Sequence, residues 1–251
     1  MTFKLPTSWR GKDGKKEYED IMSGKYKKPE TPITTPVNFN ADIIKSDYIQ
    51  IPNQNFATAI AETDFNLNYE NAHKQVLKRG LNSHTPKEFM AFHNYIIDCY
   101  KNKKTIFDAA GNNLPDKIRD GLYTQLTSKC WTWLNGKFNI SENKKTIEYI
   151  KGLDSNNNFI TKTEDLEDCL MQDCYIDFTK LTKQGLALIK YQNQNFSRGE
   201  NIHFYYPRNG QVARFDAVSG RADLVCGRDP SSADSSIGVR PCKAELAGEL
   251  K

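Results

Sequence analysis

At 251 residues the chain is long enough to bury a substantial core, as one sizeable domain with an arm or as two small domains. Thirteen Phe, twelve Tyr and three Trp within a hydrophobic share of 38% exclude a disordered chain. A formal net charge of +4 gives no argument for nucleic acid or for a membrane surface.

Targeting signals and metal sites are equally sparse. No apolar run approaches the roughly 18 residues of a membrane helix, and Met1-Thr2-Phe3-Lys4-Leu5-Pro6 lacks the apolar centre of a secretory signal. The expectation is synthesis in the cytoplasm with no signal peptide and no membrane insertion; display on a surface or a virion is left open. Cys99, Cys130, Cys169, Cys174, Cys226 and Cys242 form no CxxC pair, and His73, His84, His93 and His203 do not cluster with them, so no zinc site is expected. Cys169 and Cys174 are close enough to bridge in an oxidising compartment, while free buried thiols are the reading for a cytosolic chain.

In chain order, residues 1–36 read as an arm. Lys12, Lys15, Lys16, Lys25, Lys27 and Lys28 alternate with Asp13, Glu17, Glu19 and Asp20, and the stretch runs out into Pro29, Pro32 and Pro36. The first firm element starts at Thr85-Pro86-Lys87-Glu88, a capping box with proline at the first helical position. Phe89, Phe92, Ile96, Cys99 and Tyr100 then recur at helical spacing. Leu114-Pro115-Asp116 opens a second amphipathic helix with Ile118, Leu122, Tyr123 and Leu126 inward. Both should flank a sheet.

From Cys130 the pattern turns strand-rich. Trp131 and Trp133 share one face of an extended segment and are expected to anchor a core rather than to stack on a ligand. Asp154, Asn156 and Asn158, with Asp165 beyond them, loosely echo a calcium loop, but Phe159 stands where its glycine belongs and no helix precedes it. An Asn-rich hairpin turn explains these residues without a metal. No GxGxxG, P-loop, HExxH or GxSxG motif is present, and no nucleophile, base and orienting group stand together, so no catalytic residue and no cofactor are assigned.

The C-terminal part carries the most information. Ile202, Phe204 and Tyr206 alternate on one strand face, and Asn209-Gly210 is a tight-turn signal. In the next strand Ala213, Phe215 and Ala217 point one way while Arg214, Asp216 and Val218 point the other. Ala222, Leu224 and Cys226 repeat the inward pattern, leaving Asp223, Val225 and Gly227 outward with no shared chemistry. Between Val212 and Cys242 there is no Lys, Glu, Gln, Met or Trp. Those are the residue types that codons ending in C or T cannot encode, as when a mechanism randomises the adenines of AAC or AAT.

The framework Tyr206-Pro207-Arg208-Asn209-Gly210-Gln211-Val212-Ala213-Arg214-Phe215-Asp216-Ala217-Val218-Ser219 resembles the entry to the variable region of diversity-generating retroelement target proteins. The family in question is the one found in archaea, their viruses and small-genome bacteria. The exit, Ser235-Ser236-Ile237-Gly238-Val239-Arg240-Pro241-Cys242, is similar too, as are Cys130-Trp131-Thr132-Trp133-Leu134-Asn135, Cys169-Leu170-Met171-Gln172-Asp173-Cys174 and Leu181-Thr182-Lys183-Gln184-Gly185-Leu186. The likeness spans roughly residues 80–245.

This resemblance implies an α+β, C-type-lectin-like fold over residues 37–251, with two flanking helices, a twisted, loop-rich antiparallel sheet and a variable region at about 212–242. It implies a non-enzymatic protein that binds a macromolecular ligand, foremost a protein, through a hypervariable exposed face. The variable, ligand-binding positions carried over are Asp216, Val218, Gly220, Asp223, Val225, Gly227 and Asp229, with Ser232 and Asp234 in the following loop. Arg214, Arg221, Arg228 and Arg240 are expected as framework, Arg221 and Arg228 bordering the face. No acidic and amide cluster suited to calcium and sugar appears in this part, so sugar binding does not follow from the fold. Two alternatives stand beside this reading. One is a fixed viral or cell-surface attachment protein of the same fold. The other is an oxidative enzyme, which needs a reactive cysteine pair.

Overall fold

The computed structural model describes residues 45–243. The expected arm at 1–36 and the two ends of the expected 37–251 domain lie outside them. Among the described residues there are three α-helices, one more than expected, and two sheets.

The additional helix, α1 (Tyr69–Lys78), precedes the element that the sequence marks as the first firm one. Asn68 caps it by accepting from the Asn71 amide at 3.0 Å, and Tyr69, Ala72, His73 and Val76 form its buried stripe. Helix α2 (Pro86–Lys101) begins on the capping box expected from the sequence. The Glu88 amide donates to Thr85 Oγ1 and the Thr85 amide to Glu88 Oε2. Its buried residues include Phe89, Phe92, His93, Ile96 and Cys99. Helix α3 (Asp116–Ser128) has Pro115 at the cap and buries Ile118, Leu122 and Leu126. Tyr123 of α3 stacks on Tyr100 of α2 with ring centroids 3.6 Å apart, which fixes the two helices against each other.

The larger sheet uses β4 (Cys130–Ile140), β5 (Lys145–Leu153), β6 (Phe159–Asp165), β7 (Cys174–Ile176), β8 (Ile202–Tyr205), β9 (Val212–Val218) and β10 (Arg221–Arg228). Its strand order is β6-β5-β4-β9-β10-β8-β7. All pairs are antiparallel except β8 with β10, which run parallel. The Asn209-Gly210 turn, with Gly210 at φ +72°, therefore does not close a hairpin. It carries the chain past the end of β10, where the Arg208 amide donates to the Cys226 carbonyl and the Gly210 amide to the Phe138 carbonyl. The turn after β5 is a hairpin, as expected: Asp154 Oδ1 accepts from the Asn156 and Asn158 amides at 2.8 Å and Asn157 sits at φ +61°.

A second sheet joins β1 (Tyr48–Gln50), β2 (Ala57–Ala59), β3 (Asn82–Ser83) and β11 (Pro241–Lys243) in the order β1-β2-β11-β3. The last strand thus lies between two early ones. Just before it Arg240, fully buried, donates to the Ala59 and Ile60 carbonyls and to Gln125 Oε1, with the Glu62 carboxylate 3.8 Å away. This binds the small sheet to α3.

The two faces of the large sheet differ. Phe215, Ala213, Ala217, Leu224 and Cys226 pack with the buried stripes of α2 and α3 in the main core. Val212 and Trp133 lie on the opposite face, in a second cluster with Tyr69, Ala72 and Val76 of α1 and with Ile237 and Val239. Helix α1 therefore covers part of the face that points away from α2 and α3. Trp133 is 1% exposed, T-shaped to Tyr69, and donates from Nε1 to the Leu67 carbonyl at 3.1 Å, which is a structural role.

Candidate ligand-binding face

Strands β9 and β10 form a hairpin through Ser219-Gly220, with Val218 opposite Arg221, Asp216 opposite Asp223 and Phe215 opposite Leu224. The pleat sends Phe215 and Leu224 toward the helices, where both are fully buried. Arg214, Asp216, Val218, Asp223 and Val225 go to the other face. The register extends these rows across the sheet. Trp131 of β4, Asp216, Asp223, His203 of β8 and Tyr175 of β7 make one row, and Trp133, Arg214, Val225 and Tyr205 make the next.

Asp216, Val218, Asp223 and Val225 point as the alternation requires, the register slips between Val225 and Arg228 so that the alternation does not carry to Gly227, and exposure differs from position to position. Val218 is 40% exposed, and Gly220, Asp229 and Asp234 are also exposed. Asp216, Gly227 and Ser232 are half-buried. Asp223, at 2%, and Val225, at 9%, are buried, contrary to the expected open face. The cause is lateral. Asp223 stands between Asp216 and His203, and Val225 between Arg214 and Tyr205. Arg221 folds over the same region, its Nε 2.7 Å from Asp223 Oδ2 and its guanidinium 6.0 Å above the Tyr205 ring. Arg214 pairs with Asp216 Oδ2 and lies over Trp133 at 5.6 Å.

The face also carries groups without partners. Asp216 Oδ1, Asp223 Oδ1, His203 Nδ1, Arg214 Nε and Arg228 Nε are buried and make no hydrogen bond among the described residues. Leaving such a group unpaired costs about 1–3 kcal/mol. Burial pushes the Asp223 carboxyl up to about 7, with Arg221 pulling it down and Asp216 pushing it further up. Burial likewise raises Asp216, against the pull of Arg214. In the loop, Asp229 and Asp234 are held below the usual carboxylate range by the amides of Ser231 and Ser236, to which each side chain is hydrogen-bonded at 2.8 Å. They shape their own turns. Gly227 is a close approach, since an added Cβ would lie 3.1 Å from Arg208 Cδ.

Sequence reasoning does not find Tyr175, His203 and Tyr205. Their rings are stacked edge to face or tilted, 4.9 Å from Tyr175 to His203 and 4.6 Å from His203 to Tyr205. The alternation of His203 and Tyr205 with buried Ile202 and Phe204 is a usable signal, but the turn at Asn209-Gly210 suggests β8 beside β9, whereas β8 pairs with β10. Cys226 and Cys242 are buried, and burial raises both thiols well above their ordinary value. The six cysteines, Cys169 and Cys174 included, are free thiols. No helix of the described residues is long and apolar enough to cross a membrane. Comparison of the chain with protein-family models, with curated proteins and with solved structures returned no match.

Proposed function

We propose that this chain is the variable protein of a diversity-generating retroelement, a non-enzymatic binder that recognises a macromolecular partner, foremost a protein, on a C-type-lectin-like scaffold. The observation that carries the reading is the division of labour along β9 and β10. Ala213, Phe215 and Ala217 on β9 and Ala222, Leu224 and Cys226 on β10 are at most 2% exposed and belong to the main core. The residues between them hold carboxylates, guanidinium groups, Val and Gly with no common packing role. At the open end of this set, exposed Val218 and Gly220, substitutions change stability by about 0.5 kcal/mol or less, which is what a diversified surface requires. The codon-restricted composition between Val212 and Cys242 supports the same reading.

The burial of Asp223 and Val225 favours a second reading. If these positions are fixed by their neighbours, the chain is an attachment protein of the same fold with a constant surface. The oxidative enzyme gains nothing from the two C-terminal cysteines, whose thiols are held protonated by burial. Sequencing the DNA around the gene separates the first two readings. A near-copy of the codons for residues 212–242 beside a reverse transcriptase, differing only opposite template adenines, is the expected result. Its absence would transfer the proposal to the fixed attachment protein.

A further inference from the structure

We propose that Asp216 and Asp223 share a single proton between their unpartnered Oδ1 atoms, so that the centre of the binding face is a titrating element. The proposal rests on the reading of this face as the ligand surface and adds a regulation to it. Three geometric observations carry it. The two residues are direct partners in the antiparallel pairing of β9 with β10, a position in which opposed Cβ atoms stand about 4.5–5.5 Å apart. Each carboxylate uses its Oδ2 on an arginine of its own strand, Arg214 for Asp216 and Arg221 for Asp223. Each keeps a buried Oδ1 with no donor among the described residues.

A carboxylate oxygen is an acceptor only, so two of them side by side repel. One proton removes both deficits. It converts one Oδ1 into a donor, the other accepts, and the buried charge of the pair falls from two to one. The raised carboxyl of Asp223, up to about 7, agrees with this arrangement.

The charged and titratable groups around the pair are few. Arg214 comes from β9, Arg221 and Arg228 from β10, and each lowers the pair's affinity for a proton. His203 and Tyr205 come from β8, and burial lowers His203 and raises Tyr205, so both are neutral near pH 7. Tyr175 of β7 lies beyond His203, and Asp173 in the segment before β7 acts on His203 and Tyr205. From β4 the row contributes Trp131, which carries no charge, and its neighbour Cys130 interacts with Asp216 while burial pushes its thiol well up, so that it is neutral too. Asp234 faces Arg214 and Arg228 from the loop after β10. No donor among the described residues reaches the two free oxygens. Passing from pH 6 to pH 8 then adds one negative charge to the middle of the face, beside the half-exposed Arg221.

The test is a titration of the full chain carrying ¹³C-labelled Asp carboxyl groups, followed by NMR from pH 4 to pH 9. The expected result is that the Asp216 and Asp223 carboxyl signals move together through one step between about pH 6 and 8, the proton being common to both. In Asp216→Asn the new side-chain amide, opposite Asp223, is a donor in its own right, and the Asp223 midpoint is expected to fall by at least about one unit, a tenfold loss of proton affinity. Both carboxyls ionising below pH 5 would overturn the proposal, as would an Asp223 midpoint unmoved in Asp216→Asn. The wild-type titration decides the matter even where the variant fails to fold. Because the titration needs no ligand, the pair can fail while the retroelement reading stands, and the reverse.

Discussion

Replacing His84 by glutamine should make the protein more resistant to mild acid, because the wild-type imidazole is held neutral by the fold. Its Nδ1 lies 3.0 Å from the Arg240 carbonyl, an acceptor only, so Nδ1 carries the hydrogen and Nε2 accepts from the Thr58 hydroxyl at 3.0 Å. The ring is 1% exposed among Phe56, Phe89 and Phe92. Burial, helped by the Arg240 guanidinium, pushes it from 6.5 down to about 3. Because the unfolded chain then binds the proton more tightly, the contribution is fully present above pH 6.5 and is lost as pH falls toward 3. At pH 5 the unfolded imidazole is charged and the folded one is neutral, a difference of about 1.5 pH units or about 2 kcal/mol. His73 and His93, each pushed down to about 4 by burial, act in the same direction. Asp223 acts in the opposite one, since its raised carboxyl makes the fold more stable as pH drops from 7 toward 4. Comparing wild type with His84→Gln isolates the single imidazole, because glutamine can donate to Arg240 and accept from Thr58 at any pH. Urea unfolding followed by the fluorescence of buried Trp133 should show wild type losing about 2 kcal/mol more than His84→Gln between pH 7 and pH 5. Equal losses, or a His84 ring that titrates near 6.5 by NMR, would refute the reasoning.

Three further outcomes are expected. Phe215→Ala should cost about 3–5 kcal/mol in urea unfolding while Val218→Ser on the facing side of the same strand costs about 0.5 kcal/mol or less; comparable losses would end the claim that the two faces have separate roles. Gly185 sits at φ +82° with its would-be Cβ 2.3 Å from the Lys87 backbone nitrogen, so Gly185→Ala should lower stability by about 2–3 kcal/mol, seen as a fall in Tm, and an unchanged Tm would contradict the packing of this turn on the start of α2. Asn135 replaces a rung between β4 and β5, its side chain exchanging two hydrogen bonds of 2.7 Å with Ile150. Asn135→Ala should cost about 2–4 kcal/mol and expose the Ile150 amide to hydrogen exchange, whereas retained protection would show that another group fills the gap.

What can be read in the sequence is local. Thr85 and Glu88 are neighbours in the chain, so their capping box is legible and marks the start of α2. The inward alternation of Ala213, Phe215 and Ala217 is legible for the same reason. Helix α1 is not, because its stripe of Tyr69, Ala72, His73 and Val76 mixes polar and apolar groups and acquires its meaning only against Trp133 and Val212. The burial of Asp223 depends on His203 and Asp216 arriving on either side, and the parallel pairing that brings His203 has no signature in the turn at Asn209-Gly210. Strands of two or three residues such as β1, β2 and β3 show no period at all, so the small sheet is invisible in the sequence.

The place of β11 between β2 and β3 has a consequence for how the molecule is made. During synthesis the ribosome must complete the whole stretch from β9 to Arg240 before Pro241–Lys243 can enter the gap that the early strands leave open. A frameshift or a stop codon anywhere in that stretch deletes the strand and leaves the edges of β2 and β3 unpaired, exposed to aggregation and to proteases. Closure of the small sheet is therefore a check on the reading frame. Truncated or out-of-frame products lack β11 and fail it.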